Sequence, residues 1–131
     1  MATVKRFEDL EIWKEARRLV KIINLIVQET DLSNDFRFRD QIKASVGSLM
    51  DNIAEGFERD GNMEFRQFLS IAKGSAGETK SQVHRLFDCN YISENKLKDL
   101  VENYENLSAK IANLISYLNK KHYNGSKFKE F

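Results

Sequence analysis

The chain contains no proline, a single cysteine and only 6 glycines. Proline is the residue that most often stops a helix, so its absence leaves only glycine and polar clusters to punctuate the chain, and long uninterrupted helices are expected. The lone Cys89 cannot form an internal disulfide, which suits a reducing compartment. No His or Lys lies within a helical turn of it to favour the thiolate, and a passive, half-buried thiol is the expectation. No apolar stretch approaches the ~18 to 20 residues that cross a bilayer, and the N-terminus lacks a hydrophobic signal core. A soluble, cytoplasmic protein without membrane contact is therefore expected. A dominant charge is missing too: 21 Lys and Arg face 20 Asp and Glu, for a net charge of +1. Any contact with nucleic acid must come from a local patch and not from the overall field.

What is present fits a compact helical protein. Hydrophobic residues make up 41% and charged residues 31% of the 131 positions, a balance that excludes a disordered chain. Apolar residues recur at helical spacing in four segments. In the first, running from about Asp9 to Glu29 with Asp9 as N-cap, Leu10, Trp13, Val20, Ile23 and Val27 mark one face. Ser33, Asn34 or Asp35 can cap the second, which ends at the turn-forming Asp60, Gly61 and Asn62, where Asn62 can cap the helix that follows. Phe65, Phe68, Leu69, Ala72, Ala76, Val83, Leu86 and Phe87 mark the apolar face of the third. Ser93 can cap a fourth, whose stripe runs from Leu97 to Leu118. Short links between four helices predict an all-α, antiparallel up-down-up-down four-helix bundle spanning residues 1–119, with residues 120–131 as a flexible or partner-docked tail.

The second segment carries two rows. Ile42, Val46, Leu49, Ile53 and Phe57 form the apolar one. Beside them Gln41, Ser45, Ser48, Asn52, Glu55 and Arg59 follow the same rhythm, bringing amides, hydroxyls and a carboxylate to the margin of the core. Buried polar groups are costly unless hydrogen-bonded, so this row requires solvent or a facing helix with matching groups, within one bundle or between bundles. Glu55 is expected to pair with Arg59 one turn on. Gly74 and Gly77 each cost about 1 kcal/mol in a helix interior, which predicts close contact with the backbone near Ala44, Gly47 or Ser48.

The chemistry of catalysis is absent. A di-iron bundle needs two Glu-x-x-His pairs, but Ser81 and Asn119 stand three residues before the only histidines, His84 and His122. One Cys and two distant His also fall short of a zinc site. Glu55 and Glu78 lie among small residues and are the best placed carboxylates for acid-base work, yet no nucleophile, phosphate loop or substrate-shaped motif accompanies them, so a structural polar network fits better. No cofactor, metal, catalytic residue or small-molecule substrate is expected. Two basic groups stand out: Arg17, Arg18 and Lys21 on the first helix, and Lys120, Lys121, Lys127 and Lys129 near the end. Tyr123, Phe128 and Phe131 could add base stacking or dock on a neighbouring subunit.

Gln41, Ser48, Asn52, Ile53, Ala54, Glu55 and Gly56, followed by Glu64, Phe65, Phe68, Leu69, Ile71, Ala72, Gly74, Ser75 and Glu78, carry a family resemblance. With Leu10, Trp13 and Ala16 in the first helix, the chain from Phe7 to Leu118 resembles the four-helix bundle proteins encoded by intervening sequences within bacterial 23S ribosomal RNA genes, and is similar to the accessory proteins of diversity-generating retroelements. Lys43 and Ala44 stand where the family has paired arginines, and Met50 replaces its mid-helix proline, which implies a straighter second helix. The resemblance implies a homo-oligomeric ring, a pentamer in these families, whose repeated basic surfaces contact RNA, DNA or a ribonucleoprotein. Arg17, Arg18, Lys21 and Lys43 would be the phosphate contacts, and Gln41, Ser48, Asn52, Glu55, Arg59 and Glu78 a packing or interface network. The competing expectation is a structural adaptor that binds another protein and no nucleic acid.

Overall fold

The computed structural model describes residues 3–121 and 129–130. Among the described residues, α1 spans Glu11–Glu29, α2 Phe36–Glu58, α3 Asn62–Asp88 and α4 Glu94–Lys120, with single 3₁₀ turns at Phe7–Asp9 and Asp31–Asn34. A minimal ladder joins β1 (Thr3–Val4) to β2 (Lys129–Glu130), antiparallel, with Val4 opposite Lys129. Of the segment read as a tail, Lys120 still belongs to α4, whereas His122, Tyr123, Lys127, Phe128 and Phe131 lie outside the described residues. The four-helix, all-α reading therefore matches the fold. No helix among the described residues is long and apolar enough to cross a membrane.

Each helix buries an apolar stripe, but on α1 it is shifted from the expected one: Ile12, Leu19 and Ile26 are buried, whereas Trp13 and Val20 are only partly so. Ala16, Leu19 and Ile23 of α1 meet Ile42, Leu49 and Ile53 of α2, Phe65, Leu69 and Leu86 of α3, and Leu100, Leu107 and Ile111 of α4 in one core. α2 with α3 and α3 with α4 form the broadest contacts; α4 returns to α1 through a much narrower one. Two exposed struts brace that narrow side: Lys110 reaches Glu11 at 2.6 Å, and Arg18 reaches Asn103.

The helix ends show where local chemistry yields to tertiary contact. Ser93 caps α4 as expected, its Oγ accepting from the Lys96 amide at 3.1 Å. Asp9 does not cap α1; it lies in the preceding 3₁₀ turn, and Leu10 takes the cap position. Asp35 occupies the N-cap of α2 without a capping bond. Its carboxylate instead accepts from the Tyr91 hydroxyl at 2.9 Å, tying the start of α2 to the α3–α4 turn. Asn62 likewise opens α3 but serves α4: its Nδ2 donates to the Leu118 and Lys121 carbonyls at 2.8 and 2.7 Å, satisfying acceptors that the end of α4 leaves free. α3 closes with Asn90 at φ 63°, the Tyr91 amide donating to the Leu86 carbonyl and the Asn90 amide to Phe87, the paired bonds of a Schellman end.

The glycine expectation needs correction. Gly74 and Gly77 are exposed, and a Cβ at either position would meet no atom within 4 Å. The close approach belongs to Gly56, where a Cβ would lie 2.6 Å from Phe68 Cβ and 3.1 Å from the Phe65 ring. The short α2–α3 link draws the two helices together at that end, and only a missing side chain leaves room for both phenylalanines. Gly56→Ala is therefore expected to destabilise the protein by about 1 to 3 kcal/mol through overpacking. Gly74→Ala and Gly77→Ala, at open helical sites, should each stabilise it by up to about 1 kcal/mol. Urea denaturation of the three variants checks both signs.

Candidate nucleic-acid interface

The polar row of α2 finds its partners on α3 of the same chain. Thr79 donates to Ser45 Oγ at 2.9 Å, and Ser45 donates in turn to Gln82 Oε1. Ser48 and Ser75 join their hydroxyls at 2.9 Å, while Asn52 Nδ2 donates to the Ser48 carbonyl at 2.8 Å. Positions fall along α3 as they rise along α2, so the ladder fixes which turn faces which. Ser45, Thr79 and Gln82 are buried, and each of their polar side chains has a partner. The row therefore meets α3 of the same chain through Ser45 and Ser48, while Asn52 bonds back to Ser48 on its own helix.

Its outer members do not join it. Glu55 and Arg59 form the expected pair at 3.2 Å, but on the exposed surface, where Arg59 also lies 5.1 Å from the Phe68 ring centroid. Gln41 and Glu78 are exposed, and the ladder runs past both without engaging them. Sequence spacing could not separate these positions from Ser48 and Asn52, because a helical row alternates around the rim and only the facing helix decides which members it covers. Cys89, expected to be half-buried, is exposed, as is His84. Among the described residues no group of three or more His, Cys, Asp and Glu could hold a metal ion.

The cations of α1 divide into two kinds. Arg18 is spent on structure: its guanidinium meets Glu15 at 3.1 Å and Asn103 Oδ1 at 2.5 Å, and the bond to Glu15 raises its pKa above the ordinary arginine value. Arg17 lies 5.7 Å from the centroid of Trp13, whose other neighbour is the edge-on Phe7 ring at 5.1 Å. Trp13 thus props Arg17 outward without neutralising it. Lys21 is exposed, and Lys14, which the sequence reading passed over, is exposed one turn before Arg17. Lys14, Arg17 and Lys21 follow at three- and four-residue steps, so they share one outer strip. The signal was legible as spacing, but scattered lysines hid it. Lys43 is exposed on the neighbouring α2. Lys14, Lys21 and Lys43 have no side-chain ion pair among the described residues.

The ladder makes a quantitative expectation. Ser45→Ala strands Gln82 Oε1, while Thr79 keeps its bond to the Ser75 carbonyl, and should cost about 1 to 3 kcal/mol, whereas Ser45→Ala combined with Gln82→Met removes the need for that partner and should recover much of the loss. Chemical denaturation of the two single variants and the double variant measures the coupling.

Comparison with known proteins agrees with this architecture. A solved structure of a protein with unknown function from the S23 ribosomal protein family of Bacteroides thetaiotaomicron VPI-5482 superposes with a TM-score of 0.70, at 21% identity, covering 80% of this chain and 95% of that one. At that identity the likeness shows the fold. No curated protein matches the chain. The profile described as 23S rRNA-intervening sequence protein matches residues 8–113. That span takes in α1, α2, α3 and most of α4, and the chain belongs to the 23S rRNA-intervening sequence protein family.

Proposed function

We propose that the protein is a non-enzymatic, cytoplasmic, homo-oligomeric bundle of antiparallel up-down-up-down helices that binds RNA or a ribonucleoprotein through basic surfaces repeated around a ring. The observation that carries this reading is the α1 strip: Lys14, Arg17 and Lys21 stand exposed at helical spacing, the two lysines without an ion-pair partner among the described residues, and Trp13 props the arginine. Lys43 extends the charge onto α2. Surface cations spent on ion pairs are poorly available to phosphate, so the free ones matter most. Each patch alone is modest, and multivalency in an oligomer multiplies its effect through effective concentration. Arg18, held by Glu15 and Asn103, contributes to the α1–α4 contact and little to the ligand.

Fluorescence anisotropy with a structured ribosomal RNA fragment and a DNA duplex, across a salt series, tests this. Affinity should fall as salt rises, and Lys14→Gln/Arg17→Gln/Lys21→Gln should lower the logarithmic salt slope by about 2 to 3. Arg18→Gln should change it by less than a single contact. Lack of binding at low salt would sink the reading and leave the protein-protein adaptor.

A further inference from the structure

The α3–α4 face carries features that neither the polar ladder nor the α1 strip uses. Two open grooves lie along it, one of about 360 Å³ bordered by Arg66, Ser70, Ile115 and Asn119, the other of about 280 Å³ bordered by Gly77, Lys80, Tyr104 and Ser108. Three buried side-chain polar atoms among the described residues lack a hydrogen-bond partner: Asn62 Oδ1, Arg66 Nε and the Tyr104 hydroxyl. Two of the three belong to residues bordering these grooves, and both are donors. A buried donor without an acceptor is costly, so both call for an acceptor from outside the chain. The side chain of Tyr104 is almost wholly buried, and burial raises its phenol pKa well above the ordinary value, which keeps it a donor.

Charge points the same way. Arg66, Lys73 and Lys80 recur at seven-residue intervals, two turns or about 10 Å apart, along the edge of α3 that faces α4. Arg66 reaches across to Asn119, which leaves its Nε unpaired. Lys73 is exposed with no side-chain ion pair among the described residues. The facing carboxylate Glu105 is held by Lys80 at 3.3 Å. Gly77, where a Cβ would touch nothing, leaves the track open beside Tyr104. Arg66 and Lys73, about 10 Å apart on one edge, with unsatisfied donors at Arg66 Nε and the Tyr104 hydroxyl and small residues between, suit a linear polyanion.

We propose that the α3–α4 face is a second phosphate track, taking the sugar-phosphate backbone of a single-stranded nucleic acid, with phosphate oxygens accepting from Arg66 Nε in one groove and the Tyr104 hydroxyl in the other, and Lys73 between. This rests on the nucleic-acid reading above but assigns a different face.

The test uses the full chain, ¹⁵N-labelled, and an eight-nucleotide oligouridylate as probe, followed by the Arg66 Nε–H resonance and by anisotropy. The Arg66 signal should shift and saturate. Arg66→Gln/Lys73→Gln should weaken binding about tenfold and lower the salt slope by about 1.4. Tyr104→Phe should weaken it severalfold without lowering the melting temperature. An unmoved Arg66 signal and full affinity in these variants, while the Lys14/Arg17/Lys21 variant loses binding, would overturn the track and leave the α1 reading standing. No binding of any RNA by the unaltered protein would overturn both. A shift of the Arg66 signal on raising protein concentration alone would also overturn the track, assigning the face to a second copy.

Discussion

The α2–α3 contact is the constraint from which the rest of the structure follows. It is the broadest helix pair, and it joins a hydrogen-bonded ladder to a point of steric closeness. Ser45 and Ser48 must meet Gln82, Thr79 and Ser75, while Gly56 must meet Phe65 and Phe68. Apolar contacts alone tolerate sliding by a turn, because one leucine replaces another at modest cost. Buried hydroxyls and an amide do not, since a slip leaves each without its partner. The glycine gives the same register a second lock at the far end. Once α2 and α3 are fixed, α1 and α4 have only to lay their apolar stripes against the groove that remains.

The two outer helices are held differently. α4 is anchored to α3 by Asn62, which takes two carbonyls from its last turn, and to the head of the bundle by the Tyr91–Asp35 bond. α1 depends on α2 and on core burial, and its contact with α4 relies on exposed struts such as Lys110–Glu11, of a kind worth little in water. Polar groups are thus concentrated where register matters. Cations without an ion pair among the described residues stand on α1 and on the α3 edge facing α4.

That separation explains how a nearly neutral chain can present basic surfaces. Arginines and lysines near a carboxylate or an aromatic ring are absorbed into structure, as Arg18 is by Glu15 and Asn103, and Arg85 by the Phe38 ring at 4.2 Å. Others, among them Lys14, Lys21, Lys43 and Lys73, keep their charge for solvent or ligand. Arg17 and Arg66 are intermediate: each is steadied by one neighbour that leaves donors available. Net charge sums these populations and hides the difference, so the local patch becomes visible only when partners are known.

Periodicity alone determined the four helices, most of their apolar stripes and the existence of a polar row on α2, because helical spacing is a property of consecutive residues. On α1 it marked Trp13 and Val20 and passed over Ile12, Leu19 and Ile26, which the core buries. The cap at Ser93 and the Glu55–Arg59 pair were equally local and equally legible. What the sequence could not contain was the identity of the facing atom. Asp35 and Asn62 looked like caps for the helices they open, yet they spend their side chains on Tyr91 and on the end of α4. Gly74 and Gly77 looked like the close contact, yet that role fell to Gly56. Gln41, Ser48 and Asn52 read alike until α3 covered two of them and left the third in solvent. A side chain's role is set by whichever group the fold brings within hydrogen-bonding or van der Waals range, and that choice is made between helices, not along one.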